Sequence, residues 1–284
     1  MERVGLMQPD GTPKRAAFFD LDKTLIPGSS LFLLARGMYE RDLVRVRDLL
    51  RFGWGQVLYR TTGEQQRGME MSRTSTLDFV TGRSQQELIG WGREIAEEQI
   101  FPRVYADIVR VIADHRERGN LTFLVTAAPI ELARTIAEEL DMTGAIGTIS
   151  ELDERGCYTG RLVGPVMHGP EKAKAVAEVA AENGADLAEC HAYSDSINDL
   201  PLLESVGYAH AVNPERELRR IALARGWPIH ELRTRRRALL IGIPAGLGGA
   251  ALFGSGIALG VYLERRRQAL GFGPIERLAR RIGI

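Results

Sequence analysis

Apolar and polar positions along the chain follow two rhythms. Unbroken apolar runs at 16–19 (AAFF), 121–129 (LTFLVTAAP), 145–150 (AIGTIS), 191–194 (HAYS) and 206–212 (VGYAHAV) read as strands, the first two buried on both faces of a parallel sheet. Elsewhere apolar residues recur every three or four positions, the rhythm of helices. Five such stretches, SLFLLARGMYERD, DLVRVRDLLRFGWGQVLYR, MEMSRTSTLDFV, SQQELIGWGREIAEEQI and PRVYADIVRVIADHRERG, lie between the first strand and the second. Three more follow: 130–140, GPEKAKAVAEVAAENG with Pro170 in its first turn and Gly184 closing it, and NPERELRRIALARG. Ser29 or Ser30 caps the first helix, and Ser84 with Glu87 forms a capping box. A hairpin is expected in ELDERGCYTGRLVGP, turning at Gly156 and returning over 158–163. Strands alternating with helices predict an α/β fold with a doubly wound parallel sheet. The expected division is a leader at 1–15, a core at 16–26 and 119–232, a helical cap at 27–118 and a tail at 233–284. An insert beside a strand end suggests a lid that excludes water; a crossover region packed on the sheet is the bland alternative.

Acids follow two of the buried strands. Asp20 and Asp22 follow the first, and Asp195 follows 191–194 with Asp199 four residues on. Carboxylates at such positions are costly unless something uses them, and in open α/β sheets ligands sit at that end of the strands. A carboxylate there can attack phosphorus, and a second can exchange a proton with the leaving group. For a lone DxD, a solvated turn is the better reading; the second acidic cluster shifts the balance. Several converging carboxylates repel one another unless a hard divalent cation joins them, and an all-oxygen set suits Mg²⁺. Thr126 ends the second strand and either holds phosphate oxygens or caps the next helix. Lys172 sits in a helix's first turn, where it opposes the helix dipole. A nearby anion would compensate it, and a solvated surface lysine is the equal alternative. His191 reads as a packing residue.

Charge changes the picture at the C-terminus. The chain of 284 residues has no formal net charge, yet from Arg233 onward ten Arg stand against two Glu, a net of +8 that leaves −8 on the rest. A basic tail on an acidic body argues against nucleic acid and for an anionic surface. Residues 238–263 are 26 uncharged positions with arginines on both sides, more than the roughly 20 needed to cross a bilayer. This run is expected to be a hydrophobic helix and a membrane segment. Pro244 and the Gly248–Gly249 pair would instead favour a re-entrant hairpin, and a buried helix is the third reading. Gly242/Gly246 and Gly256/Gly260 allow self-association. The N-terminus lacks an apolar signal core, and Cys157 and Cys190 form no CxxC pair, so the body is placed in the cytoplasm, with membrane association through the tail.

DLDKT, Thr126 after a strand, Lys172 and SDSINDLPLLE together resemble the four motifs of the haloacid dehalogenase superfamily of phosphohydrolases, nearest to its phosphoserine-phosphatase-like subfamily IB. The resemblance covers residues 16–226. It implies Asp20 as the nucleophile that becomes an aspartyl-phosphate, and Asp22 as the acid that protonates the leaving oxygen and then activates water. It implies Thr126 and Lys172 as holders of the phosphoryl group. Mg²⁺ would be held by Asp20, the backbone carbonyl of Asp22, and Asp195, with Asp199 orienting that shell or Lys172. The chain departs from phosphoserine phosphatase in two places. No acid lies between Leu25 and Gly37 where that enzyme has a cap Glu for the substrate amine, and its Ser-Gly motif is TAA here.

The expectation is therefore a Mg²⁺-dependent phosphomonoesterase acting on a small phosphorylated substrate and tethered by its tail. The alternatives are a lipid-phosphate phosphatase and a regulatory membrane protein that binds a phosphorylated partner.

Overall fold

The computed structural model describes residues 14–44 and 80–232. Strand β1 (Ala16–Phe19) is central, and all four of its residues are buried. β2 (Leu121–Pro129) and β3 (Gly144–Thr148) lie on one side of it. β6 (His191–Ser194), β7 (Tyr208–Val212) and β8 (Ile229–His230) lie on the other. The order is β3-β2-β1-β6-β7-β8, with every pairing parallel. β4 (Ser150–Leu152) and β5 (Tyr158–Leu162) form a separate antiparallel hairpin.

The unbroken apolar sequence of β1 follows from burial on both faces. Ala17 and Phe19 join a core with Ile108, Ile112, Leu124, Leu132 and Ile136. Ala16 and Phe18 join a second core with Val125, Val176, Leu202, Leu203 and Leu218. The first core is closed by α3 (Ala106–Glu117) and α4 (Ile130–Glu139). The second is closed by α5 (Pro170–Glu182), α6 (Leu200–Glu204) and α7 (Arg216–Arg225). Phe18 and Phe19 are each 0% exposed, and burying each contributes about 1.5–3 kcal/mol.

Between β1 and β2 the described segments are helical. α1 (Ser30–Glu40) is capped by Ser29, whose side chain accepts from the Phe32 amide. α2 (Gln85–Ile95) is capped by Ser84, whose hydroxyl accepts from the Glu87 amide at 3.2 Å. The expected continuous helix to residue 100 instead changes to a π-helical turn, Ala96–Ile100, that buries Ala96, Gln99 and Ile100. The third strand was expected to run to Ser150. It stops at Thr148, because Ser150 pairs antiparallel with Leu162 in the hairpin. The helices expected at 42–60 and 69–80, the leader at 1–15 and the membrane segment at 238–263 with its glycine pairs lie wholly or almost wholly outside the described residues. Among the described residues no helix is long and apolar enough to cross a membrane.

Candidate active site

Parallel pairing brings the carboxyl ends of β1, β2 and β6 side by side, with acids following β1 and β6 and Thr126 near the end of β2. The Asp20 amide donates to the Tyr193 carbonyl at 2.9 Å, which sets the exit of β1 beside that of β6 and so beside Asp195. The chain then turns tightly: the Leu25 and Ile26 amides both donate to the Leu21 carbonyl. That turn carries Asp22 to the start of α1, where the Ser30 amide donates to Asp22 Oδ1 at 2.8 Å. Asp22, the acid that the family resemblance names for proton exchange, is thus held by a backbone donor at the start of α1.

Lys172 is no surface lysine. It is 3% exposed, and its ammonium donates to Asp20 Oδ1 at 2.6 Å and to Asp199 Oδ2 at 2.8 Å. The anion expected to offset its place in the first turn of α5 is therefore a pair of carboxylates. Asp199 Oδ2 also accepts from the Ser194 hydroxyl at 2.7 Å. Asp199 is thus in direct contact with Lys172, one of the two partners expected for it. Thr126 is 2% exposed, and its Oγ1 accepts from the Ala128 amide at 3.1 Å. Thr126 does not cap the helix, since Pro129 occupies that position. It lies where β2 breaks register between Val125 and Pro129, and the Thr148 hydroxyl donates to the Ala127 carbonyl beside it. Gly147 permits this approach, because a β-carbon there would stand 2.9 Å from Ile130 Cα.

The electrostatics ask for another cation. Asp20, Asp195 and Asp199 are all buried, with Lys172 the buried cation among them. Burial pushes the Asp20 carboxyl up to about 8 against the opposing pull of Lys172, with Asp199 and Asp22 adding to the rise. An ammonium shared by two carboxylates stays protonated, and its affinity for its proton is raised. Burial raises Asp195 to about 6, against the pull of Lys23, whose Nζ is 3.4 Å from Asp195 Oδ2. That contact is an ion pair without a hydrogen bond: Asp195 Oδ2 is buried and has no hydrogen-bond partner. A buried carboxylate oxygen without a close hydrogen bond, near other buried carboxyl groups, fits a hard divalent cation. Among the described residues no three His, Cys, Asp or Glu side chains gather as a ready ligand set. Two carboxylates and a carbonyl completed by water would suit Mg²⁺, which keeps several of its waters.

Ser194, Glu215 and Lys23 do not stand out as site residues in the sequence, and Ser30 stands out there only as a candidate helix cap. Ser194 steadies Asp199, the Ser30 amide holds Asp22, Glu215 Oε1 accepts from the Ile197 amide at 2.8 Å, and Lys23 pairs with Asp195. Ser194 and Lys23 adjoin motif acids, and adjacency was the available signal. The other two are contacts across folds of the chain. His191 stacks on Tyr208 and His210, in keeping with a packing role. Arg36 pairs with Glu40 on the surface of α1.

A doubly wound parallel sheet with acids at adjoining strand ends and a buried lysine between two of them is an α/β arrangement suited to phosphoryl transfer. Residues 17–204 match the haloacid dehalogenase-like hydrolases, and the chain belongs to that family. Within it, the chain is similar to a phosphoserine phosphatase of Mycobacterium tuberculosis, 41% identical over 92% of this chain and 83% of that one. An inhibition of morphological differentiation protein of Streptomyces azureus is 39% identical over 76% of this chain and 78% of its own. Among solved structures, a protein of unknown function from Bordetella pertussis Tohama I superposes with a TM-score of 0.60 at 29% identity, covering 78% of this chain and all of that one.

Proposed function

We propose that this chain hydrolyses a phosphomonoester through a covalent intermediate on Asp20. The observation that carries the reading is the buried Lys172 ammonium shared by Asp20 and Asp199. It marks Asp20 as a carboxylate kept in place at the end of β1 for use. In the first step an Asp20 oxygen bonds to phosphorus and the bond from phosphorus to the leaving oxygen breaks. Asp22 gives its proton to that oxygen. In the second step a water oxygen bonds to phosphorus, Asp22 takes the water's proton, and the bond to Asp20 breaks to release inorganic phosphate. Lys172 offsets charge on the phosphoryl oxygens, and the Thr126 hydroxyl proton is available to one of them. Asp20, the Asp22 carbonyl and Asp195 would hold Mg²⁺, which supplies electrostatic stabilisation of the transferring group. The helical stretch between β1 and α3 would supply the cap beside this site, whereas α3 itself packs on the sheet.

The substrate class is a small phosphorylated metabolite, in line with the name of the mycobacterial relative. Phosphoserine itself lacks the acidic partner for its amine between Leu25 and Gly37. The apolar run at 238–263 would tether the body to a membrane, a reading that rests on sequence. A regulatory role draws support from the name of the Streptomyces relative.

The test is hydrolysis of an aryl phosphate by the full chain, with Mg²⁺ and with EDTA, beside Asp20→Asn. Turnover that needs Mg²⁺ and falls at least about 10³-fold in the variant is expected. Equal turnover by the variant would refute the covalent route. Loss of a cellular effect in Asp20→Asn would assign that effect to catalysis, and its retention to binding.

A further inference from the structure

Lys23 stands between Asp22 and Thr24 and takes part in none of the steps above. Its backbone has φ +59°, in the left-handed region that glycine enters freely and lysine does not. Two contacts keep it there. The Lys23 amide donates to the Gly28 carbonyl at 3.1 Å, and the Lys23 carbonyl accepts from Asn213 Nδ2 at 3.1 Å. Asn213 is itself fixed, since its Oδ1 accepts from the Leu232 amide at 2.7 Å. The backbone is thus held from both sides in a conformation that sends the side chain to Asp195. There Nζ stops 3.4 Å from Oδ2, the buried oxygen that has no hydrogen bond. The Lys23 side chain is 53% exposed, so it can swing into water while Asp195 cannot.

We propose that Lys23 is a built-in counter-cation that occupies the Asp195 carboxylate in the metal-free protein and gives way to Mg²⁺, thereby setting the affinity for the metal. The inference rests on the reading that Asp195 receives a divalent cation. An ammonium and a divalent cation on one carboxylate repel each other, so binding of the metal at Asp195 is favoured as the ammonium swings out. The lysine pair is therefore subtracted from the metal's binding free energy. In exchange, the metal-free site keeps a carboxylate partnered that otherwise faces Asp199 and Glu215 with no positive neighbour of its own.

The experiment is titration calorimetry with MgCl₂ on the full chain, together with melting with and without Mg²⁺, for wild type, Lys23→Met and Lys23→Arg. Methionine keeps length and the same backbone demand while removing the charge; Lys23→Gln repeats the comparison should the thioether disturb packing. The neutral variants are expected to bind Mg²⁺ about three- to tenfold more tightly. They should melt lower without metal and gain more on adding it, while Lys23→Arg behaves as wild type. High salt should shrink the difference, because the ammonium is half exposed. Equal or weaker Mg²⁺ binding by the neutral variants overturns the proposal and leaves the Mg²⁺ reading standing. Absence of Mg²⁺ binding in wild type and variants alike overturns both.

Discussion

Lys172 shows how much one buried charge can organise. It comes from the first turn of α5, Asp20 from the end of β1 and Asp199 from the turn before α6, and their contacts join three elements distant in sequence. Removing one partner of a buried ion pair costs about 3–5 kcal/mol, because the remaining charge is left without compensation. Lys172→Met is therefore expected to destabilise the metal-free protein by about that amount in urea unfolding. Adding Asp199→Asn should return part of the loss, since it removes one of the two stranded carboxylates. A loss below about 1 kcal/mol for Lys172→Met would mean that the ammonium is not structural. Asp20 and Asp199 stand out in the sequence because strand ends fix where they fall, whereas Lys172 stands out only through the family resemblance, a first-turn lysine reading equally well as a solvated one. The role of Asp199 does not stand out, because choosing between a metal shell and Lys172 takes a distance. The part played by Lys23 is hidden for the same reason: nothing in DLDKT tells which way its side chain turns.

At the scale of elements, the outer half of the sheet is built differently from the centre. β1 and β2 carry aliphatic and phenyl side chains, while β6, β7 and β8 carry a row of imidazoles. His191 Nδ1 lies 3.1 Å from His210 Nε2, and His210 Nδ1 lies 3.2 Å from His230 Nε2. His115 from α3 receives a hydrogen bond from Asn120 on Nδ1, which leaves Nε2 to donate to the Tyr193 hydroxyl at 2.8 Å. Burial, with the neighbouring imidazoles, pushes His210 down to about 3 and His115 to about 4, and burial also lowers His191 and His230. Arg15 and Arg118 add to the depression at His191, Arg118 does so at His115, and Glu189 and Asp114 oppose it. Folded values below the unfolded value of about 6.5 mean that the unfolded chain takes up protons first as pH falls. This part of the stability is fully present above pH 6.5 and is lost as pH falls from there toward 4. The melting temperature should thus drop between pH 7 and pH 5, with His210 alone accounting for roughly 1–2 kcal/mol at pH 5. His210→Gln should flatten that dependence, and an unchanged pH profile in the variant would refute the assignment. Periodicity locates β6 and β7 but not this row, since the imidazoles meet only through the parallel register of three strands. The two-residue β8 is too short to leave a pattern, and the π-turn at Ala96–Ile100 continues the helical rhythm it departs from.

For the molecule as a whole, legibility followed burial. Elements buried on both faces or on one clear stripe, such as β1, β2, α4 and α5, stand where their apolar patterns put them. The family match over residues 17–204 covers most of that body and leaves the tail beyond it. The tail differs from the body in kind. The body is acidic, whereas Arg233 and 235–237 precede the uncharged run at 238–263, and Arg265, Arg266 and Arg267 follow it. A run of that length buried in hydrocarbon holds a protein far more firmly than basic residues at a lipid surface, where each is worth about 1 kcal/mol and is screened by salt. The two attachments therefore separate by treatment. If the run inserts, the full chain expressed in a bacterial host should stay in the membrane pellet through both high salt and alkaline carbonate, while a chain ending at residue 236 should move to the supernatant. If only the arginines bind, high salt should release the full chain. Release by carbonate would likewise rule out insertion, and the active site would then meet its substrate without a fixed tether.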